Sequence, residues 1–285
     1  MRRSEQRVNG GRKTAGRALA ICALAGVMLV AAGCDKLRAR DQLNKGVQSY
    51  KNARYEEAID HFKNAVQQDP SLINARLYLA TAYAQQYIPG VDSPDNVKYG
   101  EQAIEEYKNV LQRDSKNVNS VKGIAYLYLQ MKKFDDAKEY YKKAIELDPN
   151  DPEAYYSVAV IDWTQSYKDS ADLKAAEGMK VDDDVTGKKN DKLCQQLKEK
   201  NEPRVNEGID MLKKALDLRP DYDDAMAYMN LLYRRKGDIA CGDSEARQAD
   251  LKTADEWVDK TMATKKAKAE KQQGPGGITL DQPTK

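Results

Sequence analysis

A pattern of two short apolar runs that recurs along the chain limits its fold more than any other feature. Its clearest copy is Val118 to Asp151, VNSVKGIAYLYLQMKKFDDAKEYYKKAIELDPND. Small residues stand where two helices must touch (Ala125, Ala137, Ala144), and large ones fill the space between them (Ile124, Tyr128, Phe134, Tyr141, Ile145). Asp148-Pro149 then stops the second run, because proline lacks the backbone donor a helix interior needs. A single helix pair of this kind cannot bury its apolar faces alone, so it must be stacked against others.

The stacking partners are in the same chain. Residues 39–72 repeat the landmarks with Gly46, Tyr55, Ala58, Phe62, Ala65 and Asp69-Pro70. A copy over 73–117 opens with Leu79, Ala80 and Tyr83, but Ala103, Tyr107 and Val110 arrive late, after an insertion at about 86–99. A fourth copy, 152–222, opens with Tyr155, Val158 and Ala159 and resumes only at Gly208, Leu212, Ala215 and Arg219-Pro220, after an insertion at about 165–202. The mixed Lys/Asp composition of that insertion reads as mobile surface. The fifth copy, 223–268, carries Ala225, Met229 and Tyr233 and passes into one longer helix, as expected of a terminal cap.

These residues resemble the tetratricopeptide repeat family, which pairs a Leu-Gly/Ala-x-x-Tyr helix with an Ala-x-x-x-Phe/Tyr-x-x-Ala helix ending in Asp-Pro. The resemblance covers roughly 39–262 and implies an all-α helical solenoid of about five helix pairs, an alpha-alpha superhelix occupying 39–268. It also implies a concave face lined by the first helix of each repeat. Transferring the family's groove slots position by position gives Tyr50 and Lys51, Gln85, Lys122, Tyr126 and Gln130, Tyr156 and Trp163, and Arg234 and Arg235. Such a face suits an extended or helical protein segment, with aromatic area for affinity and cations to select carboxylates. The same aromatics could instead pack beneath the next repeat. The family's carboxylate clamp is not reproduced, since Leu43 and Val47 fill its first polar slots. Trp257 is expected to staple the capping helix.

The N-terminus points to a compartment. Arg2, Arg3, Arg7, Arg12, Lys13 and Arg17 form a basic leader, Ala18 to Ala32 is uncharged and apolar, and Ala31-Ala32-Gly33-Cys34 follows. This resembles a bacterial lipoprotein signal spanning 1–33, which implies Cys34 as the lipidated first residue, a short linker at 34–38 and a chain facing the periplasm from the inner or the outer membrane. An uncleaved anchor is the other reading, since the apolar run sits at the lower edge of what spans a bilayer. Removing the leader leaves 41 basic and 44 acidic residues, a net charge of about −3. A nucleic-acid role then lacks the concentrated positive face it requires. The Gly- and Pro-rich end, 269–285, reads as a disordered tail.

Two other thiols remain, Cys194 in the long insertion and Cys241 in the corresponding turn of the fifth copy. Repeat stacking brings both to one edge, and an oxidising compartment would let them pair. Catalytic and metal constellations are thin: His61 is the one histidine, and Asp182, Asp184, Thr186 and Gly187 imitate a calcium loop but place Leu193 where the bidentate acid belongs. No catalytic residue, metal or cofactor is therefore expected. The expectation is a non-enzymatic, membrane-anchored scaffold for a protein or peptide partner. The alternatives are a role in outer-membrane protein assembly or in pilus and secretin biogenesis, or a ligand site within 165–202.

Overall fold

The computed structural model describes residues 34–273; residues 1–33, where a lipoprotein signal is expected, and residues 274–285 of the expected tail lie outside the described residues. Among them the chain is helical without strands. It forms α1 (34–51), α2 (Tyr55–Gln68), α3 (Ile73–Gln86), α4 (Pro94–Leu111), α5 (Val118–Gln130) and α6 (Phe134–Leu147). There follow α7 (Pro152–Ala176), a 3-10 turn (Lys188–Asn190), α8 (Asp191–Leu218), α9 (Asp223–Asp238) and α10 (Ser244–Gln273). Residues 34–38, read from sequence as a linker, form the first turn of α1, and 269–273, read as tail, continue α10. Two compact units result, one ending at Gly123 and one beginning at Ile124.

Repetition shows most plainly in the backbone. Three first helices end in the same 6→1 hydrogen bond: Arg54 N–H to Ser49 O, Lys133 N–H to Tyr128 O and Met179 N–H to Lys174 O, each 2.9 Å. The residue before each donor is left-handed, Ala53 at φ 58°, Lys132 at 57° and Gly178 at 69°. This is the Schellman arrangement, which satisfies carbonyls the helix end would otherwise orphan. Second helices end alike as well: Asp69, Asp148 and Arg219 cap at φ near −137° and donate back to Ala65, Ala144 and Ala215.

In the first unit the core is Ala58, Phe62, Ala65, Ala75, Leu79, Ala80, Tyr83, Ala103, Tyr107 and Val110. The helices approach so closely that a Cβ on Gly46 would stand 2.5 Å from the Phe62 ring, and one on Gly123 2.5 Å from the Tyr107 ring. Those slots require glycine where the repeat otherwise tolerates alanine. The insertion here is shorter in space than in sequence, because α4 starts at Pro94 under a Ser93 cap and only 87–93 is loop. Asn96 organises that loop: its Oδ1 accepts the Ile88 N–H at 2.7 Å, and its amide donates to the carbonyls of Ile88 (2.9 Å) and Val91 (2.7 Å).

The second unit corrects the reading of the long insertion. It is not mobile surface, because α7 runs on to Ala176 and α8 begins at Asp191, so most of the inserted chain extends two antiparallel helices. Val185, Leu193, Cys194 and Leu197 are buried in one cluster with Val205, Ile209, Leu212, Met229 and Leu232. Lys174 is 1 % exposed. Its ammonium donates to the carbonyls of Val181 (2.7 Å) and Asp183 (2.9 Å). The turn imitating a calcium site is therefore organised by an internal cation. Asp184 is turned onto Thr186, accepting from its N–H at 2.9 Å and its hydroxyl at 2.7 Å.

Cys194 and Cys241 form a disulfide with a Cα–Cα distance of 5.5 Å. Around it the insertion turn meets the α9–α10 turn through Gly242 N–H to Thr186 O (3.0 Å) and Arg247 to Asp184 (3.5 Å). Trp257 on α10 packs against the same core, with the Lys260 ammonium 4.1 Å above its ring.

Candidate functional site

Helix α7 carries an apolar stripe of aromatics. Tyr156, Trp163 and Tyr167 recur at helical spacing, so they share a face. Opposite them, Tyr222 precedes α9 and Tyr228 lies within it. The five rings form an unbroken row: Tyr222 to Tyr156 at 5.0 Å, Tyr156 edge-on to Tyr228 at 5.5 Å, Tyr228 edge-on to Trp163 at 5.5 Å, and Trp163 stacked on Tyr167 at 5.4 Å. Edge-to-face and offset stacking are the favoured geometries, since they align positive ring edges with negative faces. Tyr156, Trp163 and Tyr228 each rest against the core while staying partly accessible, and Tyr167 is 38 % exposed.

Polar groups set one end of the row. The Tyr222 hydroxyl donates to Glu153 at 2.5 Å, Arg219 pairs with the same carboxylate at 2.7 Å, and the guanidinium lies 4.4 Å over the Tyr222 ring. Burial, then the Glu153 carboxylate, pushes the Tyr222 hydroxyl well above its ordinary pKa; burial does the same to Tyr156. Both phenols stay protonated, and that of Tyr222 serves as a donor.

The expected groove residues meet different fates. Tyr126 is half exposed, and Lys122, Tyr126 and Gln130 share one face of α5 by their four-residue spacing. Gln85, exposed on α3, hydrogen-bonds the Tyr50 hydroxyl, which burial nonetheless raises in pKa. Tyr156 and Trp163 are neither free groove side chains nor plain core: each has one side against core and a remainder on the surface.

Arg234 and Arg235 both have partners within the chain. Arg234 donates to Asn230 (2.8 Å) and pairs with Asp255 of α10 (2.7 Å), while Arg235 pairs with Asp238 (3.0 Å) and lies 5.6 Å over the Tyr167 ring. Both guanidinium groups have partners inside the chain: α10 supplies the carboxylate for Arg234, which the repeat pattern does not foresee, and α9 itself supplies that for Arg235. The Arg235 side chain is shielded at 13 % exposure, whereas that of Arg234, 43 % exposed, keeps a face to solvent.

Three members of the row, Tyr167, Tyr222 and Tyr228, were missed because they fall outside the family's groove slots. The four-residue step from Trp163 to Tyr167 was the available signal. Elsewhere, a second charged cluster joins three helices. Lys138 of α6 bridges Asp162 of α7 (2.5 Å) and Glu207 of α8 (2.6 Å), and Lys142 pairs with Glu207 (2.5 Å). Asp162 is fully buried with Oδ2 lacking a partner among the described residues, and burial, opposed by Lys138, raises its pKa to about 6. Among the described residues no group of His, Cys, Asp and Glu is arranged to hold a metal, and no helix is long and apolar enough to cross a membrane.

Residues 122–151 match the tetratricopeptide repeat family model. The fold is that of a tetratricopeptide-repeat protein. Solved structures show the same architecture. A crystal structure of MamA protein shares 14 % identity at a TM-score of 0.53, over 87 % of this chain and 98 % of that one. MamA from Desulfovibrio magneticus RS-1 shares 16 % at 0.55, over 81 % and 96 %. At such identities the likeness is one of fold. No curated protein matches the sequence.

Proposed function

We propose that this tetratricopeptide-repeat chain is a non-enzymatic scaffold that binds an extended or helical protein segment, tethered to a bacterial envelope membrane through Cys34 and facing the periplasm. The row from Tyr222 to Tyr167 supports the binding role above all else. Rings already fixed against a core lose little entropy when a ligand covers their exposed parts, which makes such rows efficient binding surfaces. Half-exposed Tyr126 supplies a further aromatic contact. With Arg234 and Arg235 engaged internally, selectivity rests on apolar and phenol contacts more than on carboxylate capture.

Crosslinking in intact cells tests the reading. Tyr126→Ala combined with Tyr167→Ala should remove the captured protein while leaving the melting temperature within a degree or two, because both side chains are exposed. Unchanged capture with those variants, and loss on deleting 177–190, would move the site to the insertion. For the anchor, the support is the signal-like sequence before Cys34 and a Cys34 thiol that is free and exposed. Cys34→Ser should release the chain from the membrane fraction; unaltered association and processing would favour an uncleaved segment.

A further inference from the structure

The aromatic row ends at Tyr167, and a short run of contacts ties that end to the disulfide. The Arg235 guanidinium lies 5.6 Å over the Tyr167 ring and pairs with Asp238 at 3.0 Å. Arg235 Nη1 is buried with no hydrogen-bond partner among the described residues, so Asp238 sets where the guanidinium stands. Asp238 closes α9, its carbonyl oxygen lies 3.9 Å from Cys194 Sγ, and Cys241 follows shortly after it in the chain.

The helix that carries Tyr167 has little else of its own to hold its far half. Beyond Ile161 every buried residue of α7 is polar: Asp162, Ser166, Ser170 and Lys174, at four-residue steps along one face. From the facing helix, Asn201 of α8 donates to Ser170 Oγ at 3.2 Å and leaves its own Oδ1 without a partner among the described residues. Hydrogen bonds of this kind replace bonds to water at small net gain, whereas a run of buried apolar side chains would hold the helix outright. Its position therefore depends on closure at the tip. There the disulfide, the bond from Gly242 N–H to Thr186 O and the Arg247–Asp184 pair come together. The two sulfurs differ in access, since Cys194 is fully buried and Cys241 is partly exposed.

We propose that the Cys194–Cys241 disulfide is a redox latch on the aromatic row: closed, it fixes Tyr167 and the row binds; opened by a dithiol reductant, it frees the far half of α7 and binding weakens. This regulation rests on the row being the binding surface. A reductant thiolate attacks Cys241 Sγ, the accessible sulfur; the bond to Cys194 breaks as the mixed disulfide forms, and Cys194 leaves as a thiolate that takes up a proton. The second thiolate of the reductant then attacks the reductant's own sulfur in the mixed disulfide and releases Cys241, which is protonated in turn. The chain thus gains two electrons and two protons, and the dithiol is oxidised to a disulfide.

The full chain in mild detergent, with Trp257→Phe so that Trp163 is its one tryptophan, tests this. Reduction with dithiothreitol should raise iodide quenching of Trp163 about twofold and speed amide exchange across 165–176 about tenfold or more, with α5 and α6 still protected. Reoxidation should restore both. Arg235→Met in the oxidised chain should reproduce the change at Trp163 with the disulfide intact. In intact cells, Cys194→Ser with Cys241→Ser should lower crosslinked capture to the level of Tyr167→Ala. Unchanged quenching on reduction, or an Arg235→Met chain that behaves as wild type, overturns the latch. Loss of protection in α5 and α6 on reduction would make the bridge a general staple, and overturns it too. Capture that Tyr167→Ala leaves untouched would instead overturn the binding surface, and the regulation with it, while the Trp163 response would still report the latch.

Discussion

The third and fourth repeats begin with the same slots and end with the same caps, yet one is a plain helix pair and the other is nearly twice as long. Helices α5 and α6 have 13 and 14 residues; α7 and α8 have 25 and 28. A regular pair needs only its slot residues, since in a repeat array stacked pairs bury one another's apolar faces. The extended halves of α7 and α8 project beyond that cover and need their own braces. They have a small core around Leu193 and Leu197, Asn201 donating to Ser170 Oγ at 3.2 Å, Asp169 paired with Lys200 and Arg204, the buried Lys174 ammonium, and a disulfide. An insertion can therefore be ordered without any repeat signature, provided it brings covalent and polar closure of its own.

The comparison breaks first if the braces are dispensable. Cys194→Ser with Cys241→Ser opens a loop with a sequence separation of 47. In the chain-entropy model this costs about 4 kcal/mol. Chemical denaturation of both forms should show that loss, with faster amide exchange at 177–190 while α5 and α6 stay protected. Equal stability would mean the extension is held by packing alone.

Lys174→Met comes next. It removes the donor to Val181 and Asp183 and leaves two inward carbonyls unpaired, at about 2 to 4 kcal/mol. Exchange should rise in the turn that follows α7. If Met is accepted with a loss under about 1 kcal/mol, the ammonium is a passenger and not the organiser of the turn.

A pH test then sharpens how α6, α7 and α8 are joined. Burial lifts the Asp162 carboxyl from 3.8 to about 6, so the folded chain holds that proton more tightly than the unfolded chain does. Its stabilising contribution is whole below about pH 4 and is lost as pH rises through about 6, a loss of about 2 to 3 kcal/mol by linkage. Glu207 works the other way. Burial opposes its charge, but Lys138 and Lys142 prevail and lower its pKa, so its contribution is lost only as pH falls below the ordinary glutamate range. Denaturation midpoints should thus fall between pH 4.5 and 7 in the wild type. In Asp162→Asn the slope over that window should flatten; a persistent slope would assign it to another group.

The regular parts of this fold were legible because a slot pattern states both the small residue at a crossing and the large one that meets it, as with Gly46 and Phe62. Cys194 and Cys241 were legible for the same reason, since stacking carries corresponding turns to one edge. The extension was not, because its composition resembles solvated chain and its one decisive residue, Lys174, is of a type almost never buried. The small residues Ser166 and Ser170, followed by Leu173 and then Leu193 and Leu197, were the overlooked signs of a continuing helix pair. The pairing of Arg234 with Asp255 was not legible because Asp255 lies on α10, beyond the point where the pattern gives out.

Within the regular repeat the expected effects are smaller. Ala125 is fully buried at a helix crossing, and Ala125→Leu should cost about 1 to 3 kcal/mol by overpacking. Thermal unfolding checks this. A neutral outcome would show that the crossing has slack and that small residues there are not obligatory.

The smallest test isolates one backbone angle shared by both repeats. Lys132 turns the regular pair at φ 57°, and Gly178 turns the interrupted pair at φ 69°. An L-residue with a Cβ is disfavoured there by about 1 kcal/mol, partly offset by the greater freedom that glycine brings to the unfolded chain. Nothing lies within 4 Å of a Cβ built at Gly178, so sterics with neighbours do not intrude. Gly178→Ala should therefore lose, and Lys132→Gly gain, roughly 0.5 to 1 kcal/mol each. Denaturation curves on the two variants should give opposite signs and similar sizes. If Gly178→Ala costs much more than Lys132→Gly gains, the turn of the extended pair is the less adaptable of the two, and its braces transmit strain that the regular repeat is free to relax.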